Sequence, residues 1–346
     1  MDANLLEPRG EPRMAQIGNT PIHKVGLLIG RKLRPVCLKL EGCNPGGSSK
    51  DRVAKALISD LDSRGMLCSS STVIESTSGN LGVSLAFVCR EKGYRFLAVI
   101  DPKTTEENRH KMQKFGAELE LVEEPDENGG YLLSRLRRVH ELCRQSSQYT
   151  WTDQYANPAN PLAHFLTTGP EIYHQMQGRV ELIFIAVSTG GTLAGVGRYF
   201  REKSRETKII AVDARGSVIF GGAPHARKLT GIGSSRRSNF VTSELYDGHI
   251  AVSDIDAFSV CRQLDAAAGI KVGGSSGAVL FACGEYLTKH SAIDKVVCVC
   301  PDDGMNYEST IFDVKWLREN GFGVESRSPI VENIVDCEEF GIPAAE

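Results

Sequence analysis

One lysine in this 346-residue chain stands behind an unusual run of small residues. In EGCNPGGSSKDR, Glu41 to Arg52, Lys50 follows Pro45, Gly46, Gly47, Ser48 and Ser49, so bulk has been removed on one side of an amine that ordinarily sits on a long stem in water. Three later loops carry donors for anions. In STGGT, Gly190 and Gly191 let the backbone bend so that several N–H groups converge on one oxyanion. Ser188, Thr189 and Thr192 add hydroxyls there, at the start of a helix-like run, and the whole makes a phosphate cup. In STSGN, Thr77, Ser78, Gly79 and Asn80 offer hydroxyls, N–H groups and an amide to a carboxylate. GGSSGA, Gly273 to Ala278, opens a further helix with serines that either cap it or meet a heteroatom of a bound ring.

The cup is not a nucleotide P-loop, because Gly195 is followed by Val196 and Gly197 with no Lys-Ser/Thr. Nor is GVGRYF a dinucleotide fingerprint, since it ends in Phe200 where a glycine or alanine is wanted. Each loop alone is also an ordinary strand-to-helix turn or a Ser/Thr cap. Together, a phosphate cup, a carboxylate clamp and a lysine approached by small residues are the parts that hold pyridoxal 5'-phosphate as a Schiff base beside an amino-acid substrate. The small residues before Lys50 then leave space for a flat ring.

The elements that must position these loops alternate. STVIEST, YRFLAVID, VELIFIAVS, TKIIAVDA and KVVCVCPD read as strands. NLGVSLAFVCREKG, TTEENRHKMQKFG, TLAGVGRYFREK, DAFSVCRQLDAAAG and GAVLFACGEYLTK read as helices, the first closed by Gly93 and the second capped by a threonine. This order predicts an α/β protein with two open, mostly parallel twisted sheets and helices on both faces. Ligands in such sheets bind beyond the carboxyl ends of strands, where these loops fall. A smaller unit over 50–152 is expected, inserted into a larger one made of 1–49 and 153–346.

Forty basic against 43 acidic residues, a net charge of −3, exclude a basic nucleic-acid surface or a polybasic membrane patch and favour small molecules as partners. No apolar run reaches the ~20 residues of a membrane span. The ten cysteines form no CxxC pair, and no histidine spacing suggests a metal; several cysteines sit in apolar runs and read as reduced, buried small hydrophobes. MDANLLEPRGEPRM lacks the apolar segment of a signal peptide, so a cytoplasmic setting is expected.

NPGGSSKDR, STSGN, QYANPANPLAHFLTTGPEI, STGGT and GGSSGA, in this order and spacing, resemble the fold-type II pyridoxal-phosphate enzymes of the cysteine synthase and cystathionine β-synthase group, over about residues 14–320. The resemblance implies Lys50 as the Schiff-base lysine, Asn80 on the ring hydroxyl, Ser188 to Thr192 around the phosphate and Ser275 on the pyridine nitrogen. It places Thr77, Ser78, Gly79 and Gln154 on the substrate carboxylate and implies a homodimer. A neutral serine at the ring nitrogen makes a weaker electron sink than a carboxylate would, which favours loss of a β-leaving group over transamination. Lys50 then removes and returns the Cα proton, and the net reaction is β-replacement.

Cysteine synthases usually have glycine and phenylalanine where Ser188 and Tyr155 stand here. Those two residues, with VEEPDENGGYLLSR, DARGSVIFGG and GIGSSR, resemble the N-(2-amino-2-carboxyethyl)-L-glutamate synthases of siderophore and antibiotic pathways, which join O-phospho-L-serine to L-glutamate on the way to 2,3-diaminopropionate. Glutamate brings two carboxylates that need donors. Arg135, in the matching segment, has the planar fork for one, although LLSRLRRVHELCR is also an amphipathic helix whose arginines can form a solvated face. Tyr155 and Ser188 would add hydroxyls near the reacting carbon, and Arg215 and Arg236 are further candidates. The alternatives are a cysteine synthase-type enzyme that uses sulfide or another small nucleophile, and a non-catalytic paralogue that binds a partner. Nothing after residue 320 reads as a haem or regulatory module, and that tail is expected to be mobile or to cover a neighbouring surface.

Overall fold

A tight turn starts the larger sheet. Gly30 and Arg31 both have positive φ, 54° and 63°, the two-residue geometry whose twist suits a hairpin, and they join β1 (Ile22–Ile29) to β2 (Lys32–Leu40). In the computed structural model, which describes residues 13–126, 130–323 and 328–337, β2 then pairs in parallel with a strand from near the end of the chain, β10 (Val296–Cys300). Parallel pairing continues through β7 (Leu182–Ala186), β8 (Lys208–Ala214) and β9 (Gly248–Val252), while β11 (Asn333–Asp336) runs antiparallel along the outer edge of β1. The second sheet is parallel throughout, in the order β5 (Glu118–Leu121), β4 (Arg95–Ile100), β3 (Thr72–Ser76), β6 (Tyr149–Trp151).

Both faces of each sheet are covered, which is why the strands read as unbroken apolar runs. Val296, Cys298 and Cys300 belong to one core with Phe258 and Cys261 of α8 (Asp254–Ala268) and Leu280 and Cys283 of α9 (Gly274–Lys289). Their neighbours Val297 and Val299 belong to another, with Ile172 of α6 (Thr168–Gln175) and Leu193, Val196 and Phe200 of α7 (Gly191–Lys203). In the smaller sheet Val73, Phe96 and Ala98 share a core with α1 (Lys50–Ser63) and α2 (Asn80–Lys92), and Ile74, Leu97 and Val99 share one with α4 (Leu132–Gln145). Leu57 and Ile58, fully buried, fix α1 there; truncating either to alanine would cost about 2–5 kcal/mol.

The caps follow the sequence. Gly93 is left-handed (φ 77°) and Tyr94 N–H reaches back to Cys89 O at 2.9 Å, a Schellman end for α2. Thr105 caps α3 (Glu106–Lys114) by accepting from Asn108 N–H, with Glu106 and Glu107 in the first turn. α5 (Ala159–Leu166) lies between β6 and α6. The hairpin β1–β2 and the edge strand β11 are additions to the mostly parallel plan. Part of the tail expected to be mobile is therefore in the sheet, held by the register Val25↔Asp336 to Leu28↔Asn333. The segment read as lacking a signal peptide falls almost wholly on residues 1–12, outside the described residues, as does Glu127–Gly129 in the VEEPDENGGYLLSR stretch. Among the described residues no cysteine forms a disulfide; seven of the ten are buried, and Cys68 is exposed. Among the described residues no helix is long and apolar enough to cross a membrane.

Candidate active site

Lys50 opens α1, and the loop before it is stitched to the chain that leaves β10. Ser49 N–H donates to Pro301 O (2.8 Å) and Asp303 N–H to Gly47 O (3.0 Å). The two glycines have a second reason to be small. A Cβ on Gly46 would lie 2.3 Å from Asp51 Oδ1, and one on Gly47 (φ 86°) would lie 2.5 Å from Asp303 Oδ2. They make room for carboxylates; Asp51 accepts from Gly46 N–H (2.6 Å) and Ser84 Oγ–H (2.6 Å). Arg52, two residues on, is clamped by Glu41 (Nε–Oε2 2.7 Å) and by Glu171 of α6 (Nη1–Oε1 2.6 Å), and buried Lys39 also reaches Glu171 (2.7 Å). This buried network holds the Lys50 end of α1 against the larger sheet. Burial lowers the Lys50 ammonium to about 8, with Asp302 pulling the other way.

Asp302 was not foreseen, although it sits just past a strand end, where PD in KVVCVCPD could have marked it. It is buried and accepts from Tyr307 OH (2.6 Å), Asn80 Nδ2 (2.7 Å) and Ser275 Oγ (3.5 Å). Burial pushes its carboxyl up, and those donors and Lys50 pull it back. Lys50, Asn80 and Ser275, far apart in sequence, are thus gathered about one carboxylate. Asn80 Oδ1 also accepts from Asn306 Nδ2 (3.1 Å), and Lys111 of α3 reaches Asn306 Oδ1 (2.5 Å).

Ser188 to Thr192 form the turn from β7 into α7. Gly190 has φ 88°, where a side chain would be strained, and a Cβ on Gly191 would lie 2.0 Å from Asn160 Oδ1. That oxygen is buried and has no hydrogen-bond partner among the described residues, while Asn160 Nδ2 donates to Gln154 O (2.7 Å) and Thr189 Oγ1 (3.3 Å). Thr192 Oγ1 meets His164 Nε2 at 3.1 Å, and His164 Nδ1 meets Thr168 Oγ1 at 2.9 Å; burial first, then nearby Lys50 and Arg52, hold the imidazole well below its usual range and so neutral. Ser188 Oγ–H donates to Gly233 O (3.2 Å), so this hydroxyl is turned to backbone.

STSGN joins β3 to α2. Thr77 N–H is used by Val99 O (3.0 Å), whereas a Cβ on Gly79 would meet nothing within 4 Å, so the loop borders open space. Gln154 is fixed beside it, its N–H on Glu75 Oε2 (3.0 Å) and its amide on Ser76 O (3.0 Å). Arg135 is no solvated face: it is buried, Nε lies 3.1 Å from Asp101 Oδ2, and Nη1 has no hydrogen-bond partner among the described residues. Tyr155 lies in its field. Burial raises the phenol, and Arg135 and Arg236 draw it back. Arg236 stacks over the Tyr155 ring, 5.1 Å from its centroid. Arg215 is exposed.

These groups fit pyridoxal phosphate. A depressed lysine amine for the aldehyde, a left-handed glycine turn with Thr192 at the N-terminus of α7 for the phosphate, and neutral hydroxyl and amide groups beside open space for the ring are all present. The comparisons agree. A relative from Ralstonia nicotianae named N-(2-amino-2-carboxyethyl)-L-glutamate synthase is 39% identical over 301 residues, 87% of this chain and 89% of its own length. One of the same name from Cupriavidus metallidurans is 39% identical over 305 residues, with the same coverage. The solved cysteine synthase of Entamoeba histolytica superposes with a TM-score of 0.79 at 30% identity, covering 90% of each chain. Residues 14–302 match the family described as pyridoxal-phosphate dependent enzyme, and the chain belongs to that family.

Proposed function

We propose that the protein joins O-phospho-L-serine to the amino group of L-glutamate, releasing phosphate and giving N-(2-amino-2-carboxyethyl)-L-glutamate. The observation that carries the acceptor is Arg135, a buried guanidinium paired on one side with Asp101, whose charge is felt by Tyr155 and whose Nη1 is an unfilled donor: a desolvated donor in that state calls for an acceptor such as a carboxylate. The names of the two 39%-identical relatives support the same reading.

Pyridoxal phosphate, when bound, withdraws electrons from the substrate Cα and acidifies its proton. Lys50 holds the cofactor and, as a free amine near pKa 8, takes the Cα proton and later returns it. Ser188 to Thr192 hold the phosphate, chiefly by backbone and by Thr189 and Thr192, since the Ser188 hydroxyl is on Gly233 O. Asn80 and Ser275 meet the ring, with Asp302 orienting both. Thr77, Ser78, Gly79 and Gln154 take the donor carboxylate; an amide nitrogen has two N–H donors and Ser76 O uses one of Gln154's. Residues 50–152 form the smaller unit of a cytoplasmic homodimer, mobile beyond the Lys50 end of α1, which the Arg52 network anchors to the larger sheet. Its hydrogen bonds to the 302–309 segment are side-chain links of the kind Lys111–Asn306 and Glu107–Ser309 (2.6 Å), which can break and re-form without unfolding a core.

Sulfide is the competing acceptor, favoured by the likeness to a cysteine synthase. Holoenzyme given O-phosphoserine with glutamate or with sulfide, and analysed for product by mass spectrometry, separates the two; product with sulfide alone would end the glutamate reading. Arg135→Gln should raise the glutamate KM roughly 10- to 100-fold, the size of a lost charge-assisted hydrogen bond.

A further inference from the structure

We infer that Arg236, held over the ring of Tyr155, is a specificity-determining residue that takes the side-chain carboxylate of the acidic acceptor, while Arg135 takes the other carboxylate; this rests on the acceptor reading above. Arg236 is carried by a loop bound to the phosphate turn on both sides. Gly233 N–H donates to Val187 O (2.7 Å) and Ser188 Oγ–H to Gly233 O (3.2 Å), and beyond Arg236 the Ser238 hydroxyl donates to Thr189 O. Arg236 N–H itself is fixed on Ser234 Oγ (3.2 Å). A half-buried arginine is thereby held against the ring of Tyr155, the residue that follows Gln154. Arg236 makes no ion pair among the described residues; Asp153 feels its charge without touching it. Arg135, on α4, acts on the same tyrosine through its charge and is oriented by Asp101 just past β4, whose other oxygen accepts from Lys103 N–H (2.8 Å).

Two cations and two carboxylates can be matched by depth. The amine that attacks must reach the reacting carbon. The α-carboxylate, one carbon away from it, therefore goes inward with it, and the side-chain carboxylate trails outward. The buried arginine with the unfilled Nη1 suits the first, and the half-buried arginine the second. Arginine rather than lysine fits the outer place because one planar fork can stack on the phenol while donating sideways to a carboxylate, and the inner place because it can hold Asp101 on one side and a ligand on the other.

The test compares glutamate with glutamine, which keeps the α-carboxylate and lacks the outer charge. Holoenzyme with saturating O-phosphoserine should prefer glutamate, and Arg236→Gln should cut the glutamate-to-glutamine ratio of kcat/KM at least tenfold, mostly through the glutamate KM. Arg236→Lys should retain part of the preference. If wild-type protein makes no product from glutamate, the acceptor reading itself fails. If wild type does so and R236Q keeps the full preference, or loses both acceptors equally, this inference alone is overturned. Should R236Q fold poorly, the lysine variant and inhibition by glutarate against butyrate carry the same comparison.

Discussion

The cradle around Lys50 and the mouth around Tyr155 both lie beyond strand ends, yet they are assembled from opposite materials. In the cradle the donors are neutral, namely backbone N–H groups, hydroxyls and amides, converging on helix N-termini and on one buried carboxylate, Asp302. In the mouth they are long cations from α4 and from the 233–238 loop, set about a tyrosine, with the carboxylate Asp101 behind. Neutral dipoles can point at a ligand without a counter-ion of their own, and the one buried carboxylate among them is offset by three donors and by Lys50, so the cradle can be buried. Cations need a counter-ion, and one of the two in the mouth is buried with a donor to spare. On the function proposed above, the cofactor end of the site is complete within the chain, whereas the acceptor end is completed by its substrate.

The largest expected effect breaks the cradle at its centre. Lys50→Ala should lower turnover about 10²- to 10⁴-fold, the usual contribution of a positioned acid–base group, and borohydride should no longer fix the cofactor to the chain by mass spectrometry. If Arg135→Gln cost more than Lys50→Ala, the division of labour between the two regions would be wrong.

Next comes the support of the cradle. Arg52→Met leaves buried Glu41 without its cation and should cost about 3–5 kcal/mol in urea unfolding. Burial pushes Glu171 up, but Arg52 and Lys39 more than reverse it, to about 2. A carboxylate lowered in this way stabilises the fold above its unfolded value near ~4.3 and loses that contribution as pH falls towards 2, so the gap between wild type and R52M should narrow on acidification.

A pH profile sharpens the contrast further. With Lys50 near pKa 8, its neutral fraction rises about tenfold per unit below that value and flattens above it, whereas an ordinary lysine near ~10.4 would keep rising past pH 10. Cofactor uptake by stripped protein, followed by absorbance from pH 6 to 10, should therefore level off near 8; a rate still climbing at 10 would show an unperturbed amine.

The two regions also differed in how readable they were. Lys50, Asn80 and the STGGT turn are contiguous motifs whose spacing is dictated by strand-to-helix turns, and the alternation of β-branched and amphipathic runs gave the two covered sheets. Asp302 escaped notice because a single Asp after a strand is common and its partners lie at 80, 275 and 307. The carboxylates that require Gly46 and Gly47, on Asp51 and Asp303, were not legible because Asp303 lies 256 residues from Gly47. β11 is four residues long, and its pairing with β1 is set by tertiary register rather than by local pattern. Arg135 and Arg236 stand in stretches rich in arginine, LSRLRR and SSRRS, where only packing shows which one turns inward.

The smallest effect tests where the two regions meet. Ser188 belongs by position to the phosphate turn, but its hydroxyl is bonded to Gly233 O, at the base of the loop that carries Arg236. A neutral hydrogen bond of that kind is worth about 0.5–1.5 kcal/mol, so Ser188→Ala should raise the glutamate KM roughly two- to tenfold as the loop loosens. Ala supplies the same backbone N–H to the turn, and the effect should therefore fall on acceptor use rather than on cofactor retention. Equilibrium dialysis of cofactor beside glutamate kinetics distinguishes the two. If S188A weakens cofactor binding and leaves the glutamate KM alone, Ser188 belongs to the cradle in chemistry as well as in sequence, and the boundary between the regions moves one residue outward.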